Sequence, residues 1–293
     1  LRRGCIDIGS NTTRLLVADC SDGHLVACRQ EREFTKIASS LDPRGAIPAE
    51  KLAEVAEVVA EQARIAHQLG VEQLRCVATA AVRRASNREA LADLIARRCD
   101  GLEMETLTGE QEARLAFTGA AWAAKPEPHA RVAVVDAGGG STELVVATIE
   151  PGSVPRELWW ESIPIGSSDV TNRWLQSDPP GSAELAAART GVEALFHRVR
   201  APTGVQRAIA VGGSATSLRA VAGDVLEPEL LTLLTQEAAG ITSAELAARF
   251  CVAPERAGLL IGGLLILAAA SKVLGAALEV GGGGLREGVL LAD

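Results

Sequence analysis

The chain has 293 residues, enough for two domains with a core each, and 47% apolar with 23% charged residues is the balance of an ordinary folded protein. A net charge of −8, 3% aromatic residues and no Tyr supply neither the basic face nor the stacking platforms of a nucleic-acid binder. Six scattered cysteines without CxxC spacing and four histidines without ligand spacing argue against a zinc site and suit a reducing cytosol.

In chain order, residues 5–18 read as an apolar strand, an Asp, a tight polar turn and a second apolar strand. The start, Leu1-Arg2-Arg3-Gly4, runs straight into that hairpin, so no signal peptide is expected and the expected location is cytoplasmic. Leu52, Val55, Val59, Ala63, Ala66 and Leu69 recur at helical steps and predict a helix over 48–69, stopped by Gly70. A strand follows over 74–79, a helix over 87–99 and a short strand over 104–107. Thr108, with Gln111 three residues on, forms a capping box that opens a helix to about Ala124. Lys125-Pro126-Glu127-Pro128-His129 reads as a linker.

A second hairpin then begins, with a third strand over 158–163 and helices around 167–175 and 183–199, separated by the loop Asp178-Pro179-Pro180-Gly181. A strand over 208–211 ends in Gly212-Gly213-Ser214 and leads into a helix. Helices over 243–250 and 254–274, a strand over 278–280, the glycines Gly281 to Gly284 and a helix over 285–292 complete the chain. The longest apolar run, Ala257 to Ala270, is interrupted by Gly258, Gly262 and Gly263 and falls short of the roughly 20 residues of a membrane span, so it reads as a buried helix.

The two hairpins are near copies. Aligned on Asp7 and Asp136, they match at Gly9/Gly138, Thr13/Thr142, Leu15/Leu144 and Ala18/Ala147. Each presents backbone N–H groups and short hydroxyls at its tip, a nest for phosphate oxygens. Gly9, Ser10, Asn11 and Thr12 in the first copy, and Gly139, Gly140 and Ser141 in the second, are therefore candidate phosphate contacts. Asp7 and Asp136 stand at strand ends where carboxylates could position Mg²⁺ directly or through water. Gly212, Gly213 and Ser214 form a third glycine turn at a helix start, weak alone but the third of its kind. Glu110 and Glu112 suit a first helical turn for dipole reasons, and local physics leaves that reading open beside a general-base role. Arg83 and Arg84 follow a strand end, either as phosphate grips or as solvated loop residues.

Strands as hairpins first, then alternating with helices, in two halves, predict α/β domains with mixed sheets. The expected division is 1–128 and 129–293, with the last helix, about 285–293, free to pack back on the first domain.

Together these motifs resemble the exopolyphosphatase/guanosine pentaphosphatase (Ppx/GppA) family of the actin-like ATPase superfamily, in its short two-domain form. The residues that carry the resemblance are Asp7 to Thr12, Ala78 to Arg83, Gly109 to Arg114, Asp136 to Glu143, Gly212 to Ser214 and Gly284 to Gly288, in family order across nearly the whole chain. The resemblance implies two actin-like (ribonuclease H-like) domains flanking a cleft. It also implies Mg²⁺-dependent hydrolysis of the terminal phosphoanhydride of inorganic polyphosphate or guanosine pentaphosphate, with a monovalent cation such as K⁺ as a further cofactor. Glu112 aligns with the family's general base and Glu143 with the second acidic residue, which serves metal and water. Asp136 aligns with a metal-site carboxylate, Asp7 stands in the matching place of the first copy, and Arg83 aligns with a phosphate-contacting arginine. Lys36-Ile37-Ala38 departs from the family's Arg-Leu-Gly, keeping the charge but losing the planar fork and the glycine. Gln111 and Ala137 are smaller departures. The implied partners are polyphosphate or guanosine penta- and tetraphosphate, with no nucleic acid and no membrane, and a homodimer is left open. A kinase of the same superfamily and a non-catalytic sensor are the other classes; intact Glu112 and Glu143 speak against the sensor.

Overall fold

The computed structural model describes residues 1–21, 23–150 and 155–292, without the side chains of 156 and 157; residue 293, at the end of the expected last helix, lies outside the described residues. The chain divides into two compact units: Leu1–Gly119 together with the segment from Leu285 onward, and Ala120–Gly284.

Unit 1 begins with three antiparallel strands, β1 (Arg2–Ile8), β2 (Thr13–Ser21) and β3 (His24–Glu33). Then come α1 (Ile37–Ser40), α2 (Ala49–Gln68), β4 (Gln73–Ala78), α3 (Ala80–Arg84), α4 (Arg88–Arg98), β5 (Met104–Thr106) and α5 (Gly109–Ala124). The five-stranded sheet has the order β3-β2-β1-β4-β5, with β4 parallel to both β1 and β5. The apolar stripe of α2 (Val55, Val59, Ala63, Ala66) closes a core with Ile6, Ile8, Leu15 and Val17 from the sheet and Leu91 and Ile95 from α4.

Unit 2 holds the end of α5, then β6 (Arg131–Ala137), β7 (Thr142–Thr148), β8 (Arg156–Ile163), α6 (Ser167–Trp174), α7 (Ser182–Phe196), β9 (Arg207–Val211) and α8 (Gly212–Ala222). It continues through β10 (Val225–Leu226), α9 (Pro228–Ala239), α10 (Ser243–Arg249), α11 (Pro254–Ala257), α12 (Leu260–Leu274) and β11 (Leu278–Val280). Its six-stranded sheet runs β10-β11-β9-β6-β7-β8. The antiparallel run β6-β7-β8, with β9 parallel to β6 and β11 parallel to β9, repeats the unit 1 pattern. Each unit thus has the strand order and directions of the actin-like, ribonuclease H-like fold, with mixed sheets as predicted.

The apolar run 257–270 is a buried helix for most of its length, and no helix among the described residues is long and apolar enough to cross a membrane. The expected single helix over 254–274 breaks at Gly258 and Leu259 into α11 and α12. Gly262 and Gly263 of α12 allow close neighbours: a Cβ on Gly262 would lie 2.6 Å from Ser167 O, and one on Gly263 would lie 2.8 Å from Ser214 Cβ. The starts of α6 and α8, the second carrying the candidate site residue Ser214, are thereby seated on one central helix.

All six cysteines are free thiols. Burial pushes the thiols of Cys5 and Cys76 up, so these two are inert core residues. Cys28 and Cys251 are exposed, because β3 is an edge strand and Cys251 follows a helix end.

The last helix, α13 (Leu285–Leu291), belongs to unit 1 and packs on β1 and β2. A Cβ on Gly288 would fall 1.9 Å from Leu115 O, so the helix rests directly on the backbone of α5. Arg3 Nη1 donates to Leu290 O at 2.9 Å and Arg286 Nη1 to Leu15 O at 3.2 Å. Gly288→Ala should therefore lower stability by about 1–3 kcal/mol through overpacking. Gly282→Ala, whose Cβ would meet Ala123 Cβ at 3.9 Å, should leave it nearly unchanged; denaturant unfolding of both variants measures the difference.

Candidate active site

In open α/β sheets, ligands gather at the carboxyl ends of parallel strands. In unit 1 those ends are Ile8, Ala78 and Thr106, tied together by Thr79 N to Ile8 O (3.1 Å) and Leu107 N to Ala78 O (2.9 Å). The turn of Gly9 to Thr12, the helix bearing Arg83 and the helix bearing Glu112 all leave the sheet at this edge.

The first turn is closed by Gly9 N donating to Thr12 O at 2.9 Å, and Ser10 and Thr12 are buried. The Nδ2 of Asn11 is buried without a hydrogen-bond acceptor. Asp7 ends β1. The residue is partly exposed, but its Oδ1 is sealed from solvent and has no hydrogen-bond donor. Burial pushes the Asp7 carboxyl up from its ordinary range, opposed by Arg14 and Arg286 and reinforced by Glu287. Arg286, from α13 and within the Gly284 to Gly288 motif, is thus a charged neighbour of the site to which the motif alone assigned no role.

The capping box at the start of α5 forms as predicted: Thr108 N donates to Gln111 Oε1 at 2.8 Å, and Gln111 N donates to Thr108 Oγ1 at 3.2 Å. It fixes the first helical turn, and with it Glu112, which is 7% exposed. Arg83 is not on a loop. It lies in the short helix α3, and its Nη1 donates to Glu112 Oε2 at 2.8 Å and to Leu107 O at 2.8 Å. The general-base candidate is therefore a buried carboxylate aimed by an arginine, which a merely dipole-compensating glutamate would not require. Glu110 shows the alternative, forming a solvent-exposed pair with Arg114 of the same helix.

In unit 2, Asp136 and Glu143 face each other across the β6–β7 ladder, so their side chains share one face of the sheet. Glu143 is 1% exposed and its Oε1 accepts a hydrogen bond from Ser162 Oγ at 2.8 Å. Asp136 is also paired in register with Val211, and a Cβ on Gly212 would lie 2.6 Å from Asp136 Oδ1. Gly212 has φ 84, so this glycine is needed both for its backbone angle and for the space Asp136 occupies. The Gly138 to Ser141 turn, closed by Gly138 N to Ser141 O at 3.0 Å, and the Gly212 to Ser214 start of α8 thus meet at Asp136. Ser141 and Ser214 are buried.

One cation here had no sequence signal. Arg256, in α11, places its guanidinium over Gly213, where a Cβ would lie 2.1 Å from Nη2. Its helix is short and its neighbours in sequence are unremarkable, so only the fold reveals it.

Among the described residues, no group of three or more His, Cys, Asp or Glu is arranged as a self-sufficient metal cage. The residues present suit Mg²⁺ in another way. Mg²⁺ keeps several waters and takes one or two carboxylates plus substrate phosphate oxygens. The Asp136–Glu143 pair offers such carboxylates, and the sealed Oδ1 of Asp7 is a donor-starved oxygen of the right hardness.

A carboxyl whose pKa is higher in the fold than in the unfolded chain binds its proton more tightly when folded, so its stabilising contribution is lost as pH rises through the folded value. Asp7→Asn should consequently melt at a higher temperature than the wild type at neutral pH in metal-free buffer, while losing hydrolytic activity. Thermal unfolding with and without Mg²⁺, beside an activity assay, checks both halves.

The profile of the Ppx/GppA phosphatase family matches residues 16–293. Among curated relatives, exopolyphosphatase 1 of Mycobacterium tuberculosis is 28% identical over 99% of this chain and 88% of its own length. Exopolyphosphatase 2 of the same organism is 29% identical over 91% and 88%. Among solved structures, the Aquifex aeolicus Ppx/GppA family member superimposes with a TM-score of 0.82 at 31% identity, covering 100% of this chain and 97% of that one. An exopolyphosphatase-like protein gives a TM-score of 0.85 at 26% identity over 100% and 97%. With the fold, the motif order and the matched span in agreement, the chain belongs to the Ppx/GppA phosphatase family, enzymes that hydrolyse phosphoanhydride bonds.

Proposed function

We propose that the protein is an exopolyphosphatase that releases terminal orthophosphate from inorganic polyphosphate. The observation that carries this reading is Glu112, buried at a helix start and held by Arg83, beside relatives that are themselves named exopolyphosphatases. Phosphoryl transfer is mostly positioning and charge stabilisation, so the reaction needs oriented donors, an aimed water and neutralised phosphate charge.

The chain's groups divide this work. The N–H groups and hydroxyls of Ser10 to Thr12, Gly139 to Ser141 and Gly212 to Ser214 bind phosphate oxygens. In unit 2 Asp136 and Glu143, and in unit 1 Asp7, are the side chains that would hold Mg²⁺, which when bound would supply charge neutralisation on the terminal phosphoryl group. Arg83 keeps the Glu112 carboxylate in one orientation and offers its remaining N–H groups to the phosphate. Glu112 takes the proton of a water as that water's oxygen bonds to the terminal phosphorus. The bridging P–O bond breaks, and the shortened chain leaves as the anion. Guanosine pentaphosphate would place the same phosphoanhydride before the same residues, and substrate comparison separates the two readings.

Three measurements test the proposal. With Mg²⁺ present, orthophosphate release from short polyphosphate, long polyphosphate, guanosine pentaphosphate and ATP should favour the polyphosphates; preference for guanosine pentaphosphate would replace the substrate assignment. Glu112→Gln should lower turnover by roughly 10²–10⁴-fold with polyphosphate binding nearly intact, and near-wild-type turnover would refute the base assignment. Asp136→Asn should shift the Mg²⁺ activation curve to higher concentration, and an unchanged titration would remove Asp136 from the metal site.

A further inference from the structure

In each phosphate turn, the peptide carbonyls are engaged by the stretch of chain that follows the third strand of the same sheet. In unit 1, β3 ends at Glu33; Lys36 N then donates to Asn11 O at 3.0 Å and Ala38 N to Ser10 O at 2.9 Å. In unit 2, β8 ends at Ile163; Ser167 N then donates to Gly138 O at 2.9 Å and Ser168 N to Gly139 O at 3.0 Å. With Asp7 laid on Asp136, Ser10 falls on Gly139 and Thr13 on Thr142, so one engaged carbonyl coincides, while the other lies one residue later in unit 1 and one earlier in unit 2. The repeat extends to the side chains. The Thr13 and Thr35 hydroxyls share a hydrogen bond at 3.1 Å, and Thr142 Oγ1 donates to Ile165 O at 2.7 Å.

The C=O and N–H of one trans peptide point in opposite directions. Fixing the carbonyls of Ser10 and Asn11 therefore fixes the N–H groups of Asn11 and Thr12 away from the strap, and fixing those of Gly138 and Gly139 does the same for Gly139 and Gly140. None of these four N–H groups has a partner among the described residues.

The second strap closes through Gly166. A Cβ there would lie 2.2 Å from Gly139 C and 2.3 Å from Gly140 N, both backbone atoms that no rotamer change can move. Gly166 has φ −128, which any residue adopts, so glycine is needed for space alone.

We propose that residues 35–38 and 165–168 are carbonyl clasps that aim the turn amides, and that Gly166 is a positioning residue whose missing side chain lets the second clasp close. The ligand side of this inference rests on the phosphate-binding reading above; the clasp itself does not. In Gly166→Ala the turn must yield by about 1 Å, a displacement that costs up to ~100-fold in a positioned reaction. Ser167→Pro removes the N–H given to Gly138 while leaving proline at a helix position it favours, after an extended residue that tolerates it. Gly191→Ala is the control: its Cβ would strike the Trp174 ring at 2.3 Å, a steric overlap with a side chain outside the clasp.

The experiment combines hydrogen exchange of the 138–141 amides with KM and kcat for tripolyphosphate. Gly166→Ala and Ser167→Pro should speed exchange of the Gly138 amide, whose bond to Ser141 O closes the turn, and raise KM by about tenfold or more, with a smaller fall in kcat. Gly191→Ala should lower the melting temperature and move neither reading. If Gly166→Ala does not fold, Ser167→Pro decides. Wild-type exchange and wild-type KM in the folded clasp variants would overturn the inference, as would an equal KM shift in Gly191→Ala. A wild type that neither binds nor cleaves any polyphosphate would sink the substrate reading, and the exchange measurement would then judge the clasp by itself.

Discussion

Parallel pairing of β1 with β4 and of β6 with β9 is the constraint on which the chemistry of this protein depends. Parallel neighbours end at the same edge, so whatever leaves those strands emerges side by side, even when it is far apart in sequence. Asp7 and Val77 are register partners, as are Asp136 and Val211. The first pairing sets a polar turn beside the short helix of Arg83, and the second sets a polar turn beside the glycine start of α8. A slip of one residue in either pairing would turn Asp7 or Asp136 to the opposite face of its sheet.

A protein of net charge −8 in a family that hydrolyses phosphoanhydrides must pair its acidic groups with care. Glu112 is matched by Arg83, Glu143 accepts from Ser162, and Asp7 lies within the fields of Arg14 and Arg286. Several carboxylates elsewhere are tied to arginines in surface pairs worth little in stability. The buried ones differ in kind. Asp7 bears a desolvation cost without a full set of donors, the pattern of a group kept for function.

Much of this was legible in the sequence because the signals are local. The capping box at Thr108 and Gln111, the stripe on α2 and the doubled Asp-turn motif each depend on residues a few positions apart. Elements whose logic is tertiary were not legible. β3 reads His-Leu-Val-Ala-Cys-Arg-Gln-Glu-Arg-Glu, an exposed edge strand without the alternation that a buried face imposes. α9 has its leucines at helical spacing and packs on α12, a neighbour distant in sequence. The helix that holds Arg83 was not legible because it has only five residues. Arg256 and Arg286 gain their meaning from neighbours 43 and 279 positions away, Gly213 and Asp7, and no window of sequence spans such distances.

The return of α13 to the first sheet has a consequence for how the molecule is made. A ribosome delivers the strands and helices of unit 1 early, but the piece that covers β1, β2 and the backbone at Leu115 comes only after all of unit 2 has been translated. Until then the nascent unit carries an uncapped apolar surface where Val289 and Leu290 will be buried. Domain-by-domain folding during synthesis is therefore incomplete by design here: the first unit to appear is the last to be finished.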